Sequence, residues 1–362
     1  MEAFQLFNDF SVESFKGKYQ VEFTNVEKGL SEVLESGDVI VVDSNVLKLY
    51  PKIRNLADST NIIEVNANER AKTYDNIGVL MERIISFGFS KNNRIIAIGG
   101  GVVQDICSFS SSVMFRGIDW IFFPTNLLTQ CDSCIGSKTS VNLGDFKNQL
   151  GGFHPPKHIY IDFGFIDTIG EREISSGLGE MMHYFLNEKD ADLFAIEKDI
   201  AAAYRDRKTL GKLIQASLLI KRKMVEIDEF DQGPRNIFNY GHTFGHAIES
   251  CTKYAVPHGI AVAYGIDLAN LISVRKGLID MSLRNQIRTI LSEIWSKTPL
   301  PEMSIEEYYD ALSRDKKNVG SQTKVILTKG LGSMFKTTLE NTPETKEYIQ
   351  AFFDSKLYEK VL

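Results

Sequence analysis

The chain has 362 residues, 43% of them hydrophobic and 24% charged, enough for two globular domains with cores of their own. Its formal net charge of -6 and pI near 5.7 argue against a nucleic-acid binder, which carries a basic face. No apolar run reaches the roughly 18–20 residues of a membrane span, and the acidic start MEAFQLFNDFSVESF is no signal peptide, so a cytoplasmic location is expected.

Along the first 165 residues, short apolar runs alternate with amphipathic stretches. DVIVVDSN (38–45) and IIEVN (62–66) read as strands, and the stretch from Asn68 to Phe89 reads as a helix closed by glycine. RIIAIGG, WIFFPT and HIYIDF add three strands, with a helix after the first. Strands separated by helices predict a mostly parallel, Rossmann-like α/β sheet in a nucleotide-binding domain over 1–165. From about Phe165 the texture becomes helical through GLGEMMHYF, KLIQASLLIKRKMVEI, GHTFGHAIES, IAVAYGIDLANLI and LRNQIRTILSEIW. Only TKVILTK looks like a late strand, so 166–362 is expected to be an all-α domain that binds metal and substrate.

The strand Arg94–Ile98 runs straight into Gly99-Gly100-Gly101 and then a helix. Such a turn presents bare N–H groups and a helix N-terminus to an anion, and its place after a buried strand favours a nucleotide pyrophosphate. It is not the G-x-G-x-x-G fingerprint.

Only six histidines occur, and His242, His246 and His258 fall within 17 residues. His242 and His246, four apart, share a helix face. With Glu180 these three histidines form a short list of divalent-metal ligands, and three protein ligands would leave a coordination position open for chemistry. The four cysteines are too few for a disulfide scaffold. Cys131 and Cys134 form a lone C-x-x-C without a second pair or a thioredoxin context, so no redox role is expected.

These motifs converge. The chain resembles dehydroquinate synthases and their sugar-phosphate cyclase relatives over roughly residues 40 to 335: GGGVVQD, MFRGIDWIFFPTNLLTQCDSCIGSKTSVN, FKNQLGGFHPPKHIYID, EREISSGLGEMMHYF, RNIFNYGHTFGHAIE, VPHGIAVAYG and SRDKKN. The resemblance implies a dehydroquinate synthase-like fold and an enzyme that binds NAD, a divalent zinc or cobalt ion and a phosphorylated ketose. In that family a hydroxyl is oxidised by hydride transfer, phosphate is eliminated, the hydride returns, and the opened sugar closes by an aldol step.

Residue by residue, it implies Glu180, His242 and His258 as the metal ligands, with His246 contacting the substrate and its phosphate instead. Lys138, Lys147, Lys221, Arg235 and the Lys316–Lys317 pair match the basic positions, and Asn148 and Asn239 the amide contacts. Arg235 suits a substrate carboxylate, since a guanidinium makes paired bonds to one. Arg116 matches an arginine that reaches the neighbouring subunit's phosphate site, implying a homodimer. For NAD, Gly100, Gly101, Val102 and Asp105 match the pyrophosphate loop, Asp43 and Asn45 the adenosine end, and Glu69 and Lys72 a ribose-contacting pair. Thr125 and Asn126 stand where the family has two threonines, and Asp132 lies beside the nicotinamide and substrate hydroxyls.

Four positions depart from the family pattern. E-V-I-K becomes Glu180-Met181-Met182-His183, placing a histidine where an active-site lysine stands; the second threonine is Asn126; G-G-K-T is Gly136-Ser137-Lys138-Thr139; and H-G-E-A-V is His258-Gly259-Ile260-Ala261-Val262. These departures leave the metal ligands, the glycine loop, Arg235 and Lys221 in place, and with Arg235 and Lys221 retained the resemblance implies a phosphate-eliminating 3-dehydroquinate synthase acting on 3-deoxy-arabino-heptulosonate 7-phosphate. The alternatives are a cyclase using sedoheptulose 7-phosphate or another phosphosugar and, further off, a metal-dependent polyol dehydrogenase, which would lack the GSKT and FKN lysines.

Overall fold

The computed structural model describes residues 7–56, 61–144, 146–313, 322–340 and 342–354. The chain divides into two compact units, Met1–Ile169 with Lys221–Asp231, and Gly170–Ile220 with Gln232–Leu362. The first boundary falls after Ile169, where 165 was expected, because Thr168 shares a 3.1 Å hydrogen bond with the Tyr50 hydroxyl of the first unit. Residues 221–231 join that unit through bonds no local pattern announces. Glu226 and Glu229 accept from the Glu13 and Phe15 amides, and Glu229 also from the Ser14 hydroxyl.

The first unit holds β1 (Phe10–Val12), β2 (Tyr19–Phe23), β3 (Val39–Asp43), β4 (Ile62–Val65), β5 (Ile95–Gly99), β6 (Trp120–Pro124), β7 (Lys138–Leu143), β8 (Phe146–Phe153) and β9 (His158–Ile161). Seven form one sheet in the order β1-β2-β9-β6-β5-β3-β4, parallel except for the β1–β2 pair. β5 and β6 are buried along their whole length, as central parallel strands covered on both faces must be, which is why they read as unbroken apolar runs. β7 and β8 make a separate antiparallel hairpin. The expected helix from Asn68 is in fact two elements. The Asn68 carboxamide caps the amides of Arg70 and Ala71, starting a 3-10 turn over Glu69–Lys72, and extended Thr73 breaks it from the helix Tyr74–Ser86.

The second unit is helical, but not all-α: β10 (Gln322–Thr328) pairs antiparallel with β11 (Met334–Glu340). Only Met334 and Leu339 of β11 are buried, too weak an alternation to announce a strand. The helices that build the site are Glu171–Leu186, His242–Cys251 and His258–Arg275. They meet at glycines. A Cβ on Gly179 would run into the Gly259 carbonyl, one on Gly259 into the Ser176 carbonyl, and one on Gly265 into the Gly241 carbonyl. Backbone-to-backbone approach at these points brings residues 180, 242 and 258 together. Gly259→Ala is therefore expected to cost roughly 1–3 kcal/mol or more, because backbone must yield. A urea midpoint equal to that of the wild type would contradict this packing. No helix among the described residues is long and apolar enough to cross a membrane.

Candidate active site

In the first unit, β5 delivers the chain into the glycine turn, and Gly100 precedes the helix Gly101–Val113, whose N-terminus has no side-chain cap. A Cβ on Gly101 would meet nothing, while one on Gly100 would strike the Asn126 carboxamide. Bare amides facing open space fit a dinucleotide's phosphates, with Val102 next along the same turn. Asn126 replaces the family threonine with a capping role: its Oδ1 accepts from the Thr129 amide and hydroxyl, each at 2.9 Å. Buried Thr125 donates its amide to the Gly99 carbonyl at 3.1 Å. Asp43 closes β3 and accepts from the Asn45 amide at 2.8 Å.

Lys72, buried, places its ammonium 2.5 Å from Asp105 and 2.6 Å from the Asn148 side-chain oxygen. Burial pushes the Asp105 carboxyl above its ordinary value, against the pull of that ammonium. Glu69 accepts from Asn142 at 2.7 Å. A second cluster ties Lys221 to Asp132 at 2.7 Å and Lys138 to Asp231 at 2.5 Å. Lys147 lies exposed on β8. Arg116 is exposed and left-handed (φ 65°) after left-handed Phe115 (φ 50°). Lys316 and Lys317 lie outside the described residues. The C-x-x-C residues are buried thiols outside any disulfide, and burial drives the Cys134 thiol up to about 12, so it stays protonated and inert.

In the second unit, Glu180 is the hub. Its Oε1 lies 3.4 Å from His242 Nε2 and 3.1 Å from His183 Nε2, and its Oε2 lies 3.4 Å from His258 Nε2. That Oε2 is buried and makes no hydrogen bond. His242 Nδ1 sits 3.3 Å from the Tyr240 carbonyl, and His258 Nδ1 sits 2.9 Å from Glu249. With Nδ1 engaged behind each ring, both Nε2 atoms are aimed at Glu180, the outer-shell arrangement that orients metal-binding imidazoles. Burial would raise the Glu180 carboxyl, but the charges of His242 and His183 and bonds to both outweigh it and hold it well below the usual range. Burial likewise opposes the His258 cation, yet Glu180 and Glu249 raise that imidazole well above its ordinary value. A buried carboxylate with an unbonded Oε2 and two imidazole Nε2 atoms aimed at it is a donor set that fits a divalent cation. His246 stands beside the pair, its ring 5.6 Å from those of both His242 and His258.

His183 is 1% exposed and packs on Tyr184, so it faces Glu180 rather than solvent. Arg235 is buried and Asn239 half-buried on one 3-10 turn, Pro234–Asn239. Two residues inside the quoted motifs, but given no role there, join these clusters. Glu249 ends the GHAIE string, and its place one turn after His246 was the available signal; Asn142, amid SVNLG, offered none.

A model of the 3-dehydroquinate synthase N-terminal domain matches residues 62–176, and one of the C-terminal domain matches 177–318. The 3-dehydroquinate synthase of Alkaliphilus metalliredigens (strain QYMF) is 34% identical over 334 residues, covering 88% of this chain and 90% of the relative. Among solved structures, 2-deoxy-scyllo-inosose synthase complexed with carbaglucose-6-phosphate, NAD+ and Co2+ shares the fold at a TM-score of 0.84 and 24% identity, over 95% of this chain and 100% of that one. A 2-epi-5-epi-valiolone synthase from Streptomyces hygroscopicus subsp. jinggangensis 5008, with NAD+ and Zn2+ bound, gives 0.82 and 23% over 93% and 97%. With both halves matched and relatives aligned over most of their own length, this chain belongs to the 3-dehydroquinate synthase family.

Proposed function

We propose that the chain is an NAD- and divalent-metal-dependent 3-dehydroquinate synthase, converting 3-deoxy-arabino-heptulosonate 7-phosphate to 3-dehydroquinate and phosphate. The observation that carries this is the Glu180 hub with two imidazole Nε2 atoms at 3.4 Å, in a chain 34% identical to a named 3-dehydroquinate synthase. When bound, NAD accepts and returns a hydride and a zinc or cobalt ion polarises the oxygen being oxidised. Glu180, His242 and His258 would hold the ion. Gly100, Gly101 and Val102 would receive the pyrophosphate on backbone amides, with Asp105 in the same loop, Asp43 and Asn45 at the adenosine end and the Glu69–Lys72 turn towards a ribose. His183 keeps the Glu180 carboxylate oriented by its 3.1 Å bond, a positioning role.

The substrate is a polyanion, so it needs cations. Lys138, Lys147, Lys221 and His246 are suited to its phosphate and hydroxyls, with the Asp132 carboxylate alongside Lys221. Arg235 is suited to the carboxylate, and Arg116 would serve the neighbouring subunit of a homodimer. The test is to compare phosphate release from 3-deoxy-arabino-heptulosonate 7-phosphate and from sedoheptulose 7-phosphate, which lacks the carboxylate. The wild type should prefer the former. Arg235→Ala should lose about tenfold or more in kcat/KM on it alone, the equivalent of about 1.5–3 kcal/mol for a charge-assisted pair. Equal losses on both sugars would remove Arg235 from carboxylate recognition, and a wild-type preference for sedoheptulose 7-phosphate would favour the alternative cyclase.

A further inference from the structure

Asn142 lies at an irregularity of the β7–β8 hairpin, where the register shifts between Val141 and Leu143. It is 3% exposed and uses both ends of its carboxamide. Its Nδ2 donates to Glu69 Oε1 at 2.7 Å, and its Oδ1 accepts the Asn148 amide at 2.9 Å. Asn148 itself is left-handed (φ 54°), a conformation asparagine tolerates better than most residues. Held in this way, its side-chain oxygen accepts from Lys72 at 2.6 Å, and Lys72 in turn pairs with Asp105 at 2.5 Å. Glu69, Asn142, Asn148, Lys72 and Asp105 thus form one continuous chain of bonds.

We infer that Asn142 is a positioning residue that sets the Glu69 carboxylate and the Asn148 backbone at once, coupling the dinucleotide-holding turn to the substrate-facing amide. The inference rests on the NAD reading given above. Asparagine suits the position because it supplies a donor to the carboxylate and an acceptor to the amide without a charge. Aspartate has the same shape and keeps the acceptor, but it sets a second carboxylate against Glu69. The charged groups around the pair are Glu69, Lys72 and Asp105, and Lys72 is already engaged by Asp105 and Asn148. Two carboxylates at one site share a proton as pH falls, and the protonated partner then restores the donor.

The experiment is calorimetric titration of NAD into the full chain at pH 8 and pH 5.5, for the wild type, Asn142→Asp and Asn142→Ser, with near-ultraviolet circular dichroism to verify folding. Relative to the wild type at the same pH, Asn142→Asp should bind NAD about tenfold more weakly at pH 8 and within roughly threefold at pH 5.5. Asn142→Ser, which cannot reach Glu69, should be several-fold weaker at both. Wild-type affinity in both variants overturns the inference, as does an Asn142→Asp loss that ignores pH, since that reports a structural disturbance alone. Should Asn142→Asp fail to fold, Asn142→Ser decides by its affinity. A wild type that binds no NAD at either pH overturns the cofactor reading and the inference with it.

Discussion

Replacing His242 with alanine should strip the protein of its divalent ion and take activity down by at least 100-fold, while the helical unit keeps its fold. Four-ligand structural zinc sites bind with roughly 10–16 kcal/mol, so one imidazole is worth about 3 kcal/mol, a factor of more than 100. The helix His242–Cys251 should survive, because its buried contacts run through Thr243, Phe244, Ala247 and Ile248, not through the imidazole. Metal content after dialysis, phosphate release and far-ultraviolet circular dichroism on the same preparation make the measurement. Glu249→Ala should fall short of this, at about 10–100-fold in metal affinity, since it removes only the partner that orients His258. An His242→Ala protein that retains its metal and turnover would falsify the assignment of the ion to Glu180.

The second large effect is on stability. Asp267 is fully buried on the helix His258–Arg275 and receives Arg284 at 3.0 Å through two nitrogens and Arg288 at 3.4 Å. Asp267→Asn keeps the shape and removes a buried negative charge that faces both guanidinium groups. Breaking a buried pair in this way costs about 3–5 kcal/mol, because buried positive charge loses the carboxylate that faced it. The two tryptophans make this readable. Trp120 belongs to the first unit, and Trp295 stacks on Tyr264 in the second at 4.6 Å. In a Trp120→Phe background, the fluorescence of Trp295 follows the second unit, and its urea midpoint should drop sharply with Asp267→Asn. A shift worth less than about 1 kcal/mol would mean that the arginines find water when the carboxylate is lost.

The amino-acid sequence by itself determined the parallel sheet and the identity of its central strands. β3, β5 and β6 are covered on both faces, and burial on both faces demands the continuous apolar runs VIVVD, IIAIG and WIFFP. It also determined the glycine turn and the shared face of His242 and His246, since both follow from spacing along one element. Strands of the other kind stayed hidden. β8 is largely exposed along its length and β1 is three residues long, so neither has a pattern stronger than a loop's.

Only the tertiary structure decided how residues far apart in the chain combine. Glu180 and His258 meet because Gly179 and Gly259 allow two helices to touch backbone to backbone, and nothing local distinguishes those glycines from others. Glu249 acquires a role from the partner it finds across a turn, Asn142 from Glu69 across 73 positions, and His183 from a carboxylate that turns it away from solvent. The segment 221–231 likewise joins the first unit through Glu226, Glu229, Lys221 and Asp231, although residues 221–227 simply continue the helix Arg207–Ile227. Periodicity reports which face of an element is buried. Which partner covers that face is set by long-range packing, and that choice turned a set of matching motifs into a carboxylate flanked by aimed imidazoles.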